Sequence, residues 1–261
     1  MTRLGKFSIA LAALVSSVAH AQEGQWNAAD QYYDAQEMTA AKKYIQWESG
    51  GQNFYMVRGE RLEYQSNEGE PLLFWDMEGW YGGDIHKLWV KTEGAYHFDD
   101  NTFEEAEVEV LYNRTISPFF DLQMGLRHDF KPHPSTTYGV IGVHGLAPHW
   151  IEVDLAAFIS DDGDVTIRLE AEYDLMLTQR LIMQPRAEIE IALQDVPVLG
   201  LGSGISDVEA GLRLRYEIKR EFAPYVGVSW HRKLGETADF ARTAGEKVDS
   251  LSFVAGIRFW F

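Results

Sequence analysis

From about Phe54 to Phe261, apolar and polar side chains alternate in runs of roughly ten to fifteen residues, separated by Gly, Pro, Asp and Asn. A period of two sends successive side chains to opposite faces of a sheet, which excludes a helical bundle for this region. Ile167, Leu169, Ala171, Tyr173 and Leu175 share one face, and Arg168, Glu170, Glu172 and Asp174 share the other. Met183, Ala187, Ile189, Ile191 and Leu193 lie opposite Arg186, Glu188 and Glu190. Val208, Ala210, Leu212, Leu214, Tyr216 and Ile218 alternate with Asp207, Glu209, Arg213, Arg215 and Glu217. The pattern predicts twelve strands, over 53–64, 72–81, 86–98, 104–114, 119–130, 137–146, 149–160, 164–175, 179–193, 205–218, 222–233 and 250–261.

A soluble sandwich also alternates, with one face packed and one wet. Three features favour a closed antiparallel transmembrane β-barrel instead. Connection lengths alternate: turns at 82–85, 115–118, 147–148, 176–178 and 219–221 fall at the periplasmic end if both termini do. The connections at 65–71, 99–103, 131–136, 161–163, 194–204 and 234–249 fall outside and include the two longest. The chain ends Phe253, Ala255, Ile257, Phe259, Phe261, an apolar alternating strand closed by Phe, as in bacterial outer-membrane barrels. Aromatic residues gather near strand ends, among them Trp75, Trp80, Tyr81, Trp89, Trp150, Tyr225 and Trp260, as interfacial girdles require. Lipid offers no partner to a free strand edge, so the sheet must close on itself.

Residues 1–21 have a basic start (Arg3, Lys6), an apolar run and the small-residue ending Ala19-His20-Ala21. This is the pattern of a secretory signal cleaved near Ala21. Its removal takes away two bases and no acid, leaving 21 bases against 40 acids. Residues 22–52 read as a polar periplasmic leader with one short helix near Met38 to Trp47, ahead of a barrel at 53–261. The chain has no cysteine, which excludes disulfide scaffolds and thiolate metal sites. Its charge of -17 argues against nucleic acid as a partner and makes cations easier ones.

With the apolar face turned to lipid, acids outnumber bases on the inward face. Its expected network comprises Glu78, Glu93, Glu107, Arg127, Asp154, Arg168, Glu170, Glu172, Arg186, Glu188, Glu190, Glu209, Arg213, Arg215 and Glu217. Such a lumen either fills itself with ion pairs or leaves carboxylates for cations, and both readings stay open. Imidazole suits copper, and thioether favours its reduced form. The densest group of such donors is His128, Asp129 and His133, at a strand end and the following loop; His144 and His149 flank a turn. No HxH or Met-x-x-Met run accompanies them. Ser203 lies in Leu201-Gly202-Ser203-Gly204, which is not a nucleophile elbow, and no HExxH, Walker A or GxGxxG motif occurs, so no enzyme is expected.

Several strings occur in an order that resembles the bacterial copper resistance protein B family. They include Trp80-Tyr81-Gly82-Gly83-Asp84, Gly125-Leu126-Arg127-His128-Asp129, Gly145-Leu146-Ala147-Pro148-His149-Trp150, Gly211-Leu212-Arg213-Leu214-Arg215-Tyr216 and Gly256-Ile257-Arg258-Phe259-Trp260-Phe261. The resemblance spans roughly residues 54–261. It implies an outer-membrane barrel that binds copper or governs its passage, alongside periplasmic copper-handling proteins. Family members often carry a Met- and His-rich stretch before the barrel, whereas residues 22–53 here hold one Met and no His. That departure favours a lumen or loop role over bulk sequestration. The alternative is a small cation-selective pore or general envelope barrel without copper specificity.

Overall fold

The computed structural model of the chain describes residues 28–261. The expected signal segment, its cleavage near Ala21 and the first residues of the leader lie outside the described residues. The chain divides into two compact units at Gln52 and Asn53. In the first, a single 3-10 turn (Ala28–Gln31) precedes a helix, Ala35–Ser49. Asp34 caps that helix, its Oδ1 accepting the N–H of Gln36 at 2.8 Å.

The second unit is all strand apart from its connections. The strands are β1 (Phe54–Gln65), β2 (Leu72–Gly82), β3 (His86–His97), β4 (Thr102–Thr115), β5 (Phe120–Lys131), β6 (Thr136–Ala147) and β7 (Ile151–Ser160). They continue with β8 (Val165–Glu172), β9 (Leu175–Met176), β10 (Leu181–Ala192), β11 (Gly204–Tyr216), β12 (Phe222–Lys233) and β13 (Asp249–Trp260). β8 and β9 pair with β10 in one continuous register and form a single stave, so the thirteen segments make twelve staves. The interruption at Tyr173 and Asp174 has a local cause. Tyr173 N–H donates to the Pro185 carbonyl at 3.1 Å, but Pro185 has no N–H to return.

Each stave pairs antiparallel with the next, and β13 pairs with β1 to close the ring. At the seam Val57 and Phe261 exchange backbone hydrogen bonds, at 3.1 and 2.9 Å. Gly59 leaves room for the Phe259 ring there: a Cβ at position 59 would stand 2.5 Å from it. Closure therefore satisfies the backbone without helices. Among the described residues no helix is long and apolar enough to cross a membrane; the staves cross instead.

The apolar face points outward, where Leu126 is 61% and Phe253 70% exposed. In water such a belt would drive aggregation; in lipid it is the required surface. Trp89 and Tyr225 depart from the expected girdle, because both are buried inside the ring. Trp89 packs there with Leu111, Tyr138, Val140 and Phe158, a patch on which buried cationic stems can lie.

The long connections 193–203 and 234–248 lie at the end opposite the termini, called the loop end below. The second contains a helix, Gly235–Ala244, where the sequence suggested only loop. It buries Thr237, Ala238 and Ala241 and stops at Gly245, whose φ of 79° suits glycine. Gly202 N–H donates to Thr237 Oγ1 at 2.9 Å, tying the two connections together.

Candidate functional site

Strand alternation delivers the charged residues to the lumen, and the ring brings them to contact. Arg168 on β8 is the hub. Its guanidinium lies 2.9 Å from Glu190, 3.2 Å from Glu107, 3.4 Å from Glu188 and 3.5 Å from Glu93. Arg186 reaches Glu170 at 2.7 Å, Glu188 at 2.5 Å and Glu209 at 3.5 Å. Arg127 grips Asp129 with two hydrogen bonds, of 2.6 and 2.9 Å, and also pairs with Glu107. It lies over the Phe158 ring at 4.7 Å, a cation–π contact that lets the apolar patch hold a charge. Arg213 and Glu63 form a bidentate pair at 2.9 and 2.8 Å, completed by Tyr225 Oη donating to Glu63 at 2.9 Å.

Two residues that line the lumen, Arg58 and Glu60, stand where unbroken alternation along β1 sends side chains to lipid. Between Gly59 and Arg61 the β1–β2 register slips, so Glu60 is an extra residue and the facing reverses. Arg58 and Arg61 consequently both line the lumen. Arg58 pairs with Glu60 and with Glu78, at 2.6 Å, and Arg258 pairs with Glu60 at 2.6 Å. Unbroken alternation sends position 58 to lipid, and only the bulge corrects it.

The charges divide the lumen into three spaces. At the loop end a cavity of about 420 Å³ is lined by Glu104, Glu105, Asp129, Glu188, Glu190, Asp207, Glu209 and Glu246, against Arg127, Arg168 and Lys233. His231 also faces this cavity, its Nε2 2.9 Å from Asp207 Oδ1. At the waist the free space falls to about 100 Å³, room for a few waters among the ion pairs. At the terminal end a cavity of about 350 Å³ is lined by Arg58, Arg215, Glu217, Arg220 and Arg258 with Met56, Ala223 and Trp260.

The sequence-derived metal candidates scatter among these places. Asp129 lines the loop-end cavity, bound to Arg127. His128, its neighbour along the strand, points to the other face, beside Phe130 with ring centroids 4.6 Å apart, and hydrogen-bonds Thr137 Oγ1 at 2.9 Å. His133 is exposed in the connection after β5, and His149 is exposed in the turn after β6. His144 lines the waist, with Nδ1 3.4 Å from Asp154 and Nε2 3.8 Å from Glu152; Lys91 occupies the same Asp154 carboxylate at 2.5 Å. Among the described residues no three His, Asp or Glu side chains converge in a metal-holding arrangement. The His231–Asp207 pair was not among the sequence candidates. Its signal is the alternation of Tyr225, Ser229, His231 and Lys233 along β12, which shares a face with the neighbouring acids of β11.

A closed ring of twelve antiparallel staves with an apolar exterior and a charged interior defines an outer-membrane β-barrel. Among solved structures it is similar to the NanC porin, with a TM-score of 0.52 and 14% identity over 79% of this chain and 99% of that one, a likeness of fold alone. The family described as copper resistance protein B precursor (CopB) matches residues 53–261. Copper resistance protein B of Escherichia coli is 42% identical over 207 residues, 79% of this chain and 69% of that protein. A copper resistance protein B homolog of Pseudomonas syringae pv. tomato is 44% identical over 209 residues, 80% of this chain and 70% of that one. The chain belongs to the copper resistance protein B family, as a non-enzymatic barrel of the outer membrane.

Proposed function

We propose that this barrel contributes to copper resistance by binding copper at its loop-end cavity and governing the metal's passage through the lumen, working with periplasmic copper-handling proteins. One observation carries the reading: carboxylates outnumber cationic side chains around that cavity, and an imidazole–carboxylate pair, His231 with Asp207, stands among them. A cluster of anions at an aqueous mouth raises the local cation concentration. Imidazole nitrogen and carboxylate oxygen are donors that divalent copper accepts. The waist, filled by Arg168, Arg61, Arg186 and their acids, then acts as the barrier that a cation passes only by displacing those pairs. His144 is the imidazole at that barrier. Exposed His133 and His149, and His128 on the outward face, are the comparison set.

The test combines cells and purified protein. A deletion strain should lose copper tolerance and regain it with the wild-type gene, but not with His231→Ala combined with Asp207→Asn. In planar bilayers, copper added on the loop side should block residual conductance saturably, and the block should weaken in the same variant. Unchanged tolerance, cell copper and conductance on deletion would refute the copper role. A conductance indifferent to copper and to every histidine replacement would establish a general cation pore.

A further inference from the structure

The terminal-end cavity has the opposite character to the loop-end one. Four arginines and a single carboxylate, Glu217, supply its charged lining. Arg215 comes from the end of β11, Arg258 from the end of β13, Arg58 from the start of β1 and Arg220 from the turn after β11. Trp260 closes one side of the mouth, held by its indole N–H donating to the Arg220 carbonyl at 2.8 Å.

Part of this guanidinium set is left without partners. Arg215 is 4% exposed, and its Nη2 donates to Asp174 at 2.6 Å, yet its Nη1 is buried and bonded to nothing. Arg258 donates to Glu60 through Nη2 at 3.2 Å. Its Nη1 stands 3.8 Å from Glu172 and 4.0 Å from Asp174, beyond hydrogen-bonding reach, and is likewise buried without a partner. A buried charged donor without an acceptor is costly, and a guanidinium has a planar fork suited to a carboxylate. Asp174 already demonstrates the match, since it sits between these same two arginines.

We infer that the terminal-end cavity is a binding site for a small organic acid, whose carboxylate accepts hydrogen bonds from Arg215 Nη1 and Arg258 Nη1. Arg220 holds the outer end of the ligand beside Trp260. A dicarboxylate suits the site better than phosphate, because it spreads its two charges between the Arg215–Arg258 end and Arg220, whereas phosphate concentrates its charge at one point beside Asp174 and Glu172. The volume, about 350 Å³, accommodates a molecule of succinate size.

Isothermal titration of the folded barrel in detergent with succinate, at low ionic strength, tests the assignment. Saturable binding is expected. Arg215→Gln should weaken it by about ten- to hundredfold, the equivalent of one hydrogen bond to a charged group. Lys233→Gln, at the loop-end cavity, should leave it unchanged. Arg220 is largely exposed, so Arg220→Gln keeps the test available if Arg215→Gln does not fold; it should weaken binding by a smaller factor. Absence of succinate binding to the wild type overturns the inference, as does binding that survives both arginine replacements. Inorganic phosphate binding as tightly as succinate overturns the assignment to a carboxylate.

Discussion

Replacing Arg213 by Gln should destabilise the folded barrel by about 3–5 kcal/mol, the cost of stranding one partner of a buried ion pair. Glu63 is 0% exposed and Arg213 2%, so neither charge can turn to water. Glu63 accepts four hydrogen bonds: two from Arg213, one from Tyr225 at 2.9 Å and one from Gln65 at 2.8 Å. Loss of Arg213 removes two of these and the one guanidinium hydrogen-bonded to the carboxylate. Glu63→Gln should cost a similar amount by stranding Arg213. Tyr225→Phe removes one charge-assisted bond and should cost less, about 1.5–3 kcal/mol. The double variant Glu63→Gln with Arg213→Gln carries no buried charge at this point, so it should cost clearly less than the two single changes added together. The pair joins β1 to β11 near the seam, and the loss should therefore appear in equilibrium unfolding of the whole ring. Urea titration in lipid vesicles, followed by tryptophan fluorescence and by migration of unheated protein on gels, measures it. A cost below about 1 kcal/mol for Arg213→Gln, or strict additivity in the double variant, would mean that water or neighbouring groups replace the pair and that the lumen is not desolvated at this point.

One position away the physics reverses. Leu212→Arg or Ile189→Arg puts a charge on the lipid face and should cost about 2–4 kcal/mol near the midplane, visible as slower or incomplete insertion into vesicles. Arg168→Gln leaves Glu93, Glu107, Glu188 and Glu190 without their shared cation, so reversal potentials in a salt gradient should shift toward greater cation selectivity. At the loop end, a hydrogen bond with Asp195 and repulsion by its charge raise the Glu236 pKa, while the Ser203 backbone N–H lowers that of Asp195. A raised acid stabilises below its unfolded pKa and loses that contribution as pH climbs through the folded one; a lowered acid loses its contribution as pH falls. Hydrogen-exchange protection of 193–203 and 235–244 should thus peak in the mildly acidic range and fall on both sides, and Glu236→Gln should remove the alkaline fall.

Much of the architecture was legible in the chain. The alternation of Ile167 to Leu175 and of Val208 to Ile218 predicts both the staves and their facing, because period two is a property of the extended backbone itself. It also contained the separation of His128 from Asp129, since adjacent residues on a strand cannot share a face. The bulge at Glu60 was not legible: Gly59 carries no mark that distinguishes a bulge from a regular strand glycine, and its role comes from the Phe259 ring across the seam. The inward packing of Trp89 and Tyr225 was legible from phase but not from ring type: alternation sets Trp89 with Lys91 and Glu93, and Tyr225 with Ser229 and His231, whereas an aromatic ring suits an interface as readily as an interior. The Asp207–His231 pairing depends on two strands whose relative stagger no local pattern records.

What the amino-acid order determines unaided is local: extended segments, one greasy and one charged side to each, and closure forced by a solvent that cannot pair with backbone. What only the assembled ring decides is depth. Register and stagger set which arginine meets which carboxylate across the lumen. They therefore place the acids at one mouth, the ion pairs at the waist and the arginines at the other mouth.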